Sequence, residues 1–320
     1  MLVIISYIDK SISHGTLNTM DYLSTLEAAK KWGISDRAVR RYCLEGKVEG
    51  AFLENNRWHI PRNASMPGRT HTNIKVTFPG TLLNALREEK SCSLKGGIYH
   101  KVQISLTYNS NHIEGSTLTE DETRFIYDDK LVVPESGAAR LNDVLETVNH
   151  FECVDFVIDH ANDQLTEALI KDIHRLLKER TEDSKKSWFA VGDYKKFQNS
   201  IGGISVTTPP EKVAQEMKNL LSLYNAKPAH NFSELLDFHV KFESIHPFQD
   251  GNGRVGRLIL FKECLKNDIV PFIIEDDIKK FYYRGLREWK QDEAFLTDTC
   301  LAAQDRFKKY LDYFRIPYKD

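Results

Sequence analysis

The chain has 320 residues, 41% of them hydrophobic and 28% charged, and a formal net charge of −2. That length exceeds one typical core and predicts two domains, while the balanced charge gives no ground for a general affinity for nucleic acid or anionic membranes, so any basic patch must be local. No apolar run approaches the ~20 residues of a bilayer-crossing helix. The five cysteines (Cys43, Cys92, Cys153, Cys264 and Cys300) form no C-x-x-C pair, which argues against a zinc site or a disulfide framework and for a reducing, cytoplasmic setting.

Residues 1–20 show no clear pattern, and with Met20 just ahead of the first well-formed element they read either as an extension or as the product of an upstream start. The apolar opening from Met1 to Ile8 ends early at Asp9 and Lys10 and lacks the features of a signal peptide. Order begins at Ser24-Thr-Leu-Glu27, a capping box in which hydroxyl and carboxylate satisfy opposite backbone N–H groups. The spacing predicts a short helix with Leu26, Ala29 and Trp32, stopped by Gly33. Ser35 caps a second helix, with Ala38, Val39 and Tyr42 able to face inward and Arg37, Arg40 and Arg41 outward. After Gly46, alternating runs at Val48 to Leu53 and Arg57 to Ile60 flank a turn at Glu54-Asn55-Asn56.

Two helices at a tight turn followed by a hairpin describe a small winged helix-turn-helix over residues 21–63. The stretch resembles the DNA-binding domain of the MerR and excisionase families, which implies that Arg37, Arg40 and Arg41 meet DNA. Asp21 to Arg62 hold eight Lys/Arg and six Asp/Glu, a net of +2, so a dimer on repeated half-sites is expected rather than one tightly bound copy. The alternative is a charged face of a protein-interaction module.

Asn63 to Gly68 is small, polar and broken by proline, and marks a linker. From 69 to 320 helical periodicity dominates. Leu141, Val144, Leu145 and Val148 recur at helical spacing, as do Leu165, Leu169, Ile173, Leu176 and Leu177, then Val213, Met217, Leu220 and Leu221. Tyr194 to Pro210 interrupts the pattern and predicts a hairpin or extended loop. The expected fold is mostly α, with one β-hairpin and the small N-terminal domain.

His246-Pro-Phe-Gln-Asp-Gly-Asn-Gly-Arg-Val-Gly-Arg257 lies between two helical stretches, Phe232 to Ser244 and the run from Gly253 that carries Val255, Leu258, Ile259, Phe261 and Leu265. The turn Gly251-Asn252-Gly253 feeds a helix N-terminus, whose unpaired N–H groups and positive dipole end suit an anion. Arg254 and Arg257 can neutralise phosphate oxygens, Asp250 is an oxygen ligand of the kind Mg²⁺ takes alongside nucleotide phosphates, and His246 can accept a proton. The content is that of a phosphoryl- or nucleotidyl-transfer site.

The segment matches the signature H-x-F-x-[D/E]-G-N-G-R-x-x-R at every defined position, and here the chain resembles the Fic-type protein adenylyltransferases. Doc-type kinases replace the second glycine of the turn, whereas Gly253 is retained, which favours AMP transfer over phosphorylation. The resemblance implies His246 as general base toward a Tyr, Thr or Ser hydroxyl, and Asp250 as the holder of Mg²⁺ on the α- and β-phosphates of ATP. It also implies Asn252 with the turn amides of Gly251, Gly253 and Gly256 around the phosphates, Arg254 on the β-phosphate, Arg257 on the γ-phosphate, and Phe248 as the loop's anchor.

Ser110-Asn-His-Ile-Glu-Gly115 matches [S/T]-x-x-x-E-[G/N] and resembles the inhibitory segment of Fic proteins, which implies that Glu114 pairs with Arg257 and misaligns ATP. Val191 to Tyr194 and the stretch through Gly203, Ile204, Ser205 and Val206 resemble the target-docking flap, which would pair with an extended target segment. Tyr282-Tyr283 resembles the aromatic pair beside adenine, with core packing as the alternative. Lys290 stands where family members often carry asparagine. Two further readings stay open: a DNA-binding regulator whose Fic domain senses nucleotide, and transfer of another nucleoside monophosphate or phosphocholine. The target protein is not named by the sequence, and the chain itself is a candidate.

Overall fold

The computed structural model describes residues 22–44, 46–54, 57–67, 81–132, 137–201 and 205–319. The expected extension 1–20 lies outside them, as do Gly68 of the linker and Gly203 and Ile204 of the flap, and the side chains of Arg37, Ser205 and Val206 are likewise not described. The chain divides into two compact units, Met1–Thr77 and Phe78–Asp320.

In the first unit a strand β1 (Tyr22–Leu23) leads into α1 (Thr25–Trp32) and α2 (Asp36–Leu44), followed by β2 (Phe52–Glu54) and β3 (Arg57–Pro61). The Ser24 backbone N–H donates to Glu27 at 2.8 Å and the Glu27 N–H returns to Ser24 Oγ at 3.3 Å, so the capping box forms. Gly33 ends α1 at φ 68°, a left-handed conformation in which a Cβ would be strained. The strands form an antiparallel sheet in the order β1-β3-β2, with Leu23 opposite Ile60 and Leu53 opposite Trp58. Leu23, Ala28, Ala29, Val39, Cys43, Val48 and Ile60 make its apolar core. Two sequence expectations shift. Leu26 is exposed, because Ala28 and Ala29 form the buried stripe of α1 and their small side chains let it close on α2 and β3. Val48 is buried ahead of the hairpin, and the strand itself starts at Phe52.

The second unit is helical: α3 (Leu82–Ser91), α4 (Ile98–Ile113), α5 (Glu120–Asp129), α6 (Leu141–Asp159), α7 (Glu167–Lys178), α8 (Pro210–Tyr224), α9 (Phe232–Ile245), α10 (Asn252–Lys266), α11 (Lys279–Glu288) and α12 (Ala294–Phe314). Between α7 and α8 the predicted hairpin appears as β4 (Ser200–Ile201) paired with β5 (Ser205–Val206). The stripes read on α7, α8, α9 and α10 are buried, Leu176 being partly so. The stripe read on α6 is not: Leu141 is 71% exposed and Val148 is also exposed, and the inward face carries Thr147, Phe151, Val154 and Ile158 instead. The difference arises because α6 buries the polar groups Thr147, Asn149 and His150, which an apolar period overlooks. Among the packed helices α10 is central, touching α4, α6, α7 and α9, so the glycine turn that opens it is fixed on several sides. No helix among the described residues is long and apolar enough to cross a membrane. Cys43, Cys153, Cys264 and Cys300 are buried and unbridged, whereas Cys92 is exposed.

Candidate active site

The motif occupies the end of α9, a tight loop and the first two turns of α10. His246 closes α9 in a left-handed conformation, φ 53°, which is unusual for a residue with a Cβ and turns the chain into the loop. The loop is pinned from below and beside. Phe248 is fully buried and stacks on His174 of α7 with ring centroids 3.9 Å apart. The Lys195 N–H donates to the Pro247 carbonyl at 2.9 Å, and Asn199 Nδ2 donates to the Phe248 carbonyl at 3.0 Å. Asn252 adds two more ties, its Oδ1 accepting from the Phe248 N–H at 2.8 Å and its Nδ2 donating to the Phe248 carbonyl at 2.9 Å. Its side chain therefore braces the loop, whereas the motif alone suggests a grip on phosphate. Gly251 takes φ 82° just ahead of α10.

His246 Nδ1 lies 3.4 Å from the Glu243 carbonyl oxygen. A carbonyl only accepts, so this contact places the proton on Nδ1 and the lone pair on Nε2. Burial, and after it the positive charge of Lys195, lower the His246 pKa to about 4. The imidazole is thus neutral near pH 7 and able to take a proton. Lys195 is itself buried between Asn199 Oδ1 and Thr207 Oγ1, both at 2.7 Å, and burial brings its pKa down to about 8.

The two arginines of α10 are buried and both face carboxylates. Arg257 Nη2 donates to Glu114 Oε1 at 2.8 Å and to the Ser110 carbonyl at 2.9 Å, and its Nε donates to Ser110 Oγ at 3.1 Å. Burial opposes the Arg257 charge, but Glu114 outweighs it and holds the pKa above the ordinary range. Ser110 to Ile113 are the last turn of α4, and Gly115 at φ 97° reverses the chain beyond it. Glu114 consequently leans over the start of α10, where a Cβ on Gly253 would come within 2.4 Å of Glu114 Oε1 and 3.0 Å of Arg257 Nη1. Only a glycine at 253 leaves room for this carboxylate at the helix N-terminus.

Arg254 pairs with Glu146 of α6 and reaches Asp250 Oδ2 at 3.4 Å. Lys178, the last residue of α7 and fully buried, donates to Glu146 Oε1 at 2.7 Å, Asp183 Oδ2 at 2.6 Å and Asp250 Oδ2 at 2.7 Å. Partial burial would raise the Asp250 pKa, but Lys178 and Arg254 outweigh it and bring it to about 2. Asp250 still keeps 55% of its side chain exposed. Glu146, Asp183 and Asp250 offer oxygens within 4.8 Å of one another, yet Lys178 sits among them, so an all-protein metal cage does not fit. One carboxylate shared with phosphate oxygens does fit, which is the usual arrangement for Mg²⁺ at a nucleotide.

Besides Asn252, two more of the expected nucleotide contacts look different in the structure. A Cβ on Gly256 would meet Glu243 Oε1 at 2.3 Å and His239 Cε1 at 3.0 Å, so this glycine serves the close packing of α10 on α9. Tyr282 is buried with its hydroxyl 2.7 Å from His239 Nε2, the core-packing alternative, while Tyr283 is only partly buried. Sequence reasoning missed Lys178, Glu146, Asp183, His174 and Lys195. The available signal was on α7, where His174 and Lys178 stand four apart beside a fully apolar stripe and so share its inner face.

A helical domain whose central helix starts in a glycine turn, flanked by buried guanidinium groups and a neutral imidazole, presents the groups that suit a bound phosphate. Residues 164–263 match the model of the Fic/DOC family. The chain is 27% identical over 187 residues to the protein adenylyltransferase Fic of Aedes aegypti, covering 58% of this chain and 36% of the relative. It is 28% identical over 184 residues to that of Nematostella vectensis, covering 57% and 42%. It thus spans about four tenths of the length of these curated relatives. Among solved structures, a Fic domain containing signaling protein from Bacteroides thetaiotaomicron superposes with a TM-score of 0.54 at 24% identity, over 72% of this chain and 90% of that one. A Fic-1 fragment from Caenorhabditis elegans does so with 0.56 at 20% identity, over 72% and 70%. These two likenesses concern the fold.

Proposed function

We propose that the chain is a protein adenylyltransferase, which moves AMP from ATP to a Tyr, Thr or Ser hydroxyl of a protein and is restrained by Glu114. The observation that carries this reading is the presence, in the first two turns of α10, of two buried guanidinium groups, Arg254 and Arg257, just after a loop whose His246 is neutral near pH 7 and feels the charges of Asp250 and Glu114. His246 Nε2 takes the proton of the target hydroxyl while Nδ1 stays bonded to the Glu243 carbonyl. The hydroxyl oxygen bonds to the α-phosphorus, and the bond from that phosphorus to the bridging oxygen breaks, releasing pyrophosphate. The amides at the start of α10 hold the α-phosphate. Arg254 and Arg257 serve the β- and γ-phosphates, for which each must be released from or share its glutamate. Mg²⁺, when bound, neutralises phosphate charge, and Asp250 is the residue that would hold it.

In the resting arrangement Glu114 seats a carboxylate where the γ-phosphate would meet Arg257, so ATP binds poorly aligned and turnover is slow. The target is presented by β4 and β5, which add an extended segment of the partner by strand pairing. The first unit is a winged helix-turn-helix with Arg37, Arg40 and Arg41 toward DNA; Arg40 and Arg41 are exposed, although Arg40 Nε donates to Asp36 at 2.7 Å. We place the domains at 21–63 and 69–320, the protein in the cytoplasm, and a homodimer on DNA. Incubation with α-labelled and γ-labelled ATP tests the reading: label in protein from the α-position alone supports it, and label from the γ-position alone would mean phosphorylation.

A further inference from the structure

Lys178 is 0% exposed, and its ammonium has three N–H donors. Three carboxylates meet it, Glu146 Oε1 at 2.7 Å, Asp183 Oδ2 at 2.6 Å and Asp250 Oδ2 at 2.7 Å. Each donor therefore has an acid, far more than a single structural ion pair requires. The distances suit an ammonium; Mg²⁺ draws oxygens in to about 2.0–2.1 Å. Its stem lies against the motif, with Cδ 3.5 Å from where a Cβ on Gly251 would stand. Its charge also sits at the C-terminal end of α7, where the helix dipole favours a cation. Glu146, Asp183 and Asp250 against Lys178, Arg254 and Lys186, whose ammonium holds Asp183 Oδ1 at 2.7 Å, leave the cluster at a net 0 (three negative, three positive), and without Lys178 it would stand at −1.

We propose that Lys178 is a positioning residue: its ammonium is the built-in cation of the Glu146, Asp183 and Asp250 cluster, fixing Asp250 and keeping divalent ions out until nucleotide phosphates bring one in. This deepens the proposed function, since it takes Asp250 as the metal's holder. Lys178 makes metal binding conditional on nucleotide, and occupies the inward oxygen of Asp250 to do so.

The test is Mn²⁺ titration of the full chain without nucleotide, read from the EPR signal of unbound Mn²⁺, together with melting in EDTA and in Mn²⁺. Lys178→Met should bind Mn²⁺ about tenfold or more tightly than the wild type. It should melt lower in EDTA and regain stability in Mn²⁺, whereas the wild type should not respond. Lys178→Gln, which keeps an N–H donor, is the second variant should Lys178→Met not fold. Wild-type protein that binds Mn²⁺ as tightly as the variant, or a variant that melts low and gains nothing from Mn²⁺, would overturn the proposal. Neither readout involves AMP transfer, so failure here is distinct from failure of the proposed activity.

Discussion

At the scale of single residues the mechanism turns on His246. A base must be unprotonated, and the His246 pKa of about 4 reflects burial first and Lys195 second, with Asp250, Glu114 and the Glu243 carbonyl acting the other way. Transfer should therefore hold nearly level from about pH 8 to about pH 5 and fall only below that, as fewer imidazoles remain neutral. Lys195→Met removes a positive charge and should move this acid limb to higher pH, which a rate-pH profile under identical target conditions would reveal. An unmoved limb would remove Lys195 from the electrostatics of the base. His246→Ala should abolish transfer while ATP binding and melting temperature stay near wild type, because the phosphate-binding groups do not use the imidazole. The grouping of His246, Asp250, Arg254 and Arg257 was legible in the sequence because they are neighbours in the chain. Lys178 and Glu146 were not, since only folding brings α6 and α7 beside the loop.

At the scale of elements, the meeting of α9 and α10 is governed by Gly256. Its hydrogen faces Glu243 Oε1 and His239, so a methyl group there must displace the buried Glu243 carboxylate and press on the His239 ring. Gly256→Ala should cost about 1–3 kcal/mol of stability, as overpacking of a close contact does, measurable by chemical denaturation. Loss of ATP affinity with stability unchanged would instead return Gly256 to the phosphate site, the place the motif suggests for it. Helix identity was legible wherever a continuous apolar stripe runs along the buried face, as on α7 through α10, even with polar groups such as His174, Lys178, Arg254 and Arg257 buried beside it. On α6 the period pointed outward to Leu141 and Val148, because the true inner face carries Thr147, Asn149 and His150 among its apolar residues. The segment from Ser110 to Gly115 is instructive in a different way. It is an ordinary helix end, closed by the left-handed Gly115, and it also carries Glu114 onto Arg257. A six-residue pattern alone does not fix this pairing, because Arg257 lies 143 residues further along the chain and only folding brings α4 beside α10.

At the scale of the whole molecule, a small helix-and-sheet unit and a larger helical unit are joined in one chain. If the small unit binds DNA, the net charge of +2 over residues 21–62 implies binding that weakens steeply with salt. Selection of genomic fragments at low salt should enrich repeated half-sites, and enrichment of nothing would turn the unit toward a protein partner. The main proposal concerns the larger unit: AMP transfer held back by Glu114. A charge-assisted hydrogen bond such as that of Glu114 to Arg257 is worth about 1.5–3 kcal/mol, and about 1.4 kcal/mol is a tenfold change in rate. The decisive experiment is incorporation of label from α-labelled ATP into protein by the wild type, Glu114→Gly and Arg257→Ala side by side. Glu114→Gly should exceed the wild type by roughly tenfold to a hundredfold, and Arg257→Ala should stay at or below it, since that change also deletes the γ-phosphate ligand. Equal labelling by the wild type and Glu114→Gly, or activation by Arg257→Ala, would contradict restraint by Glu114.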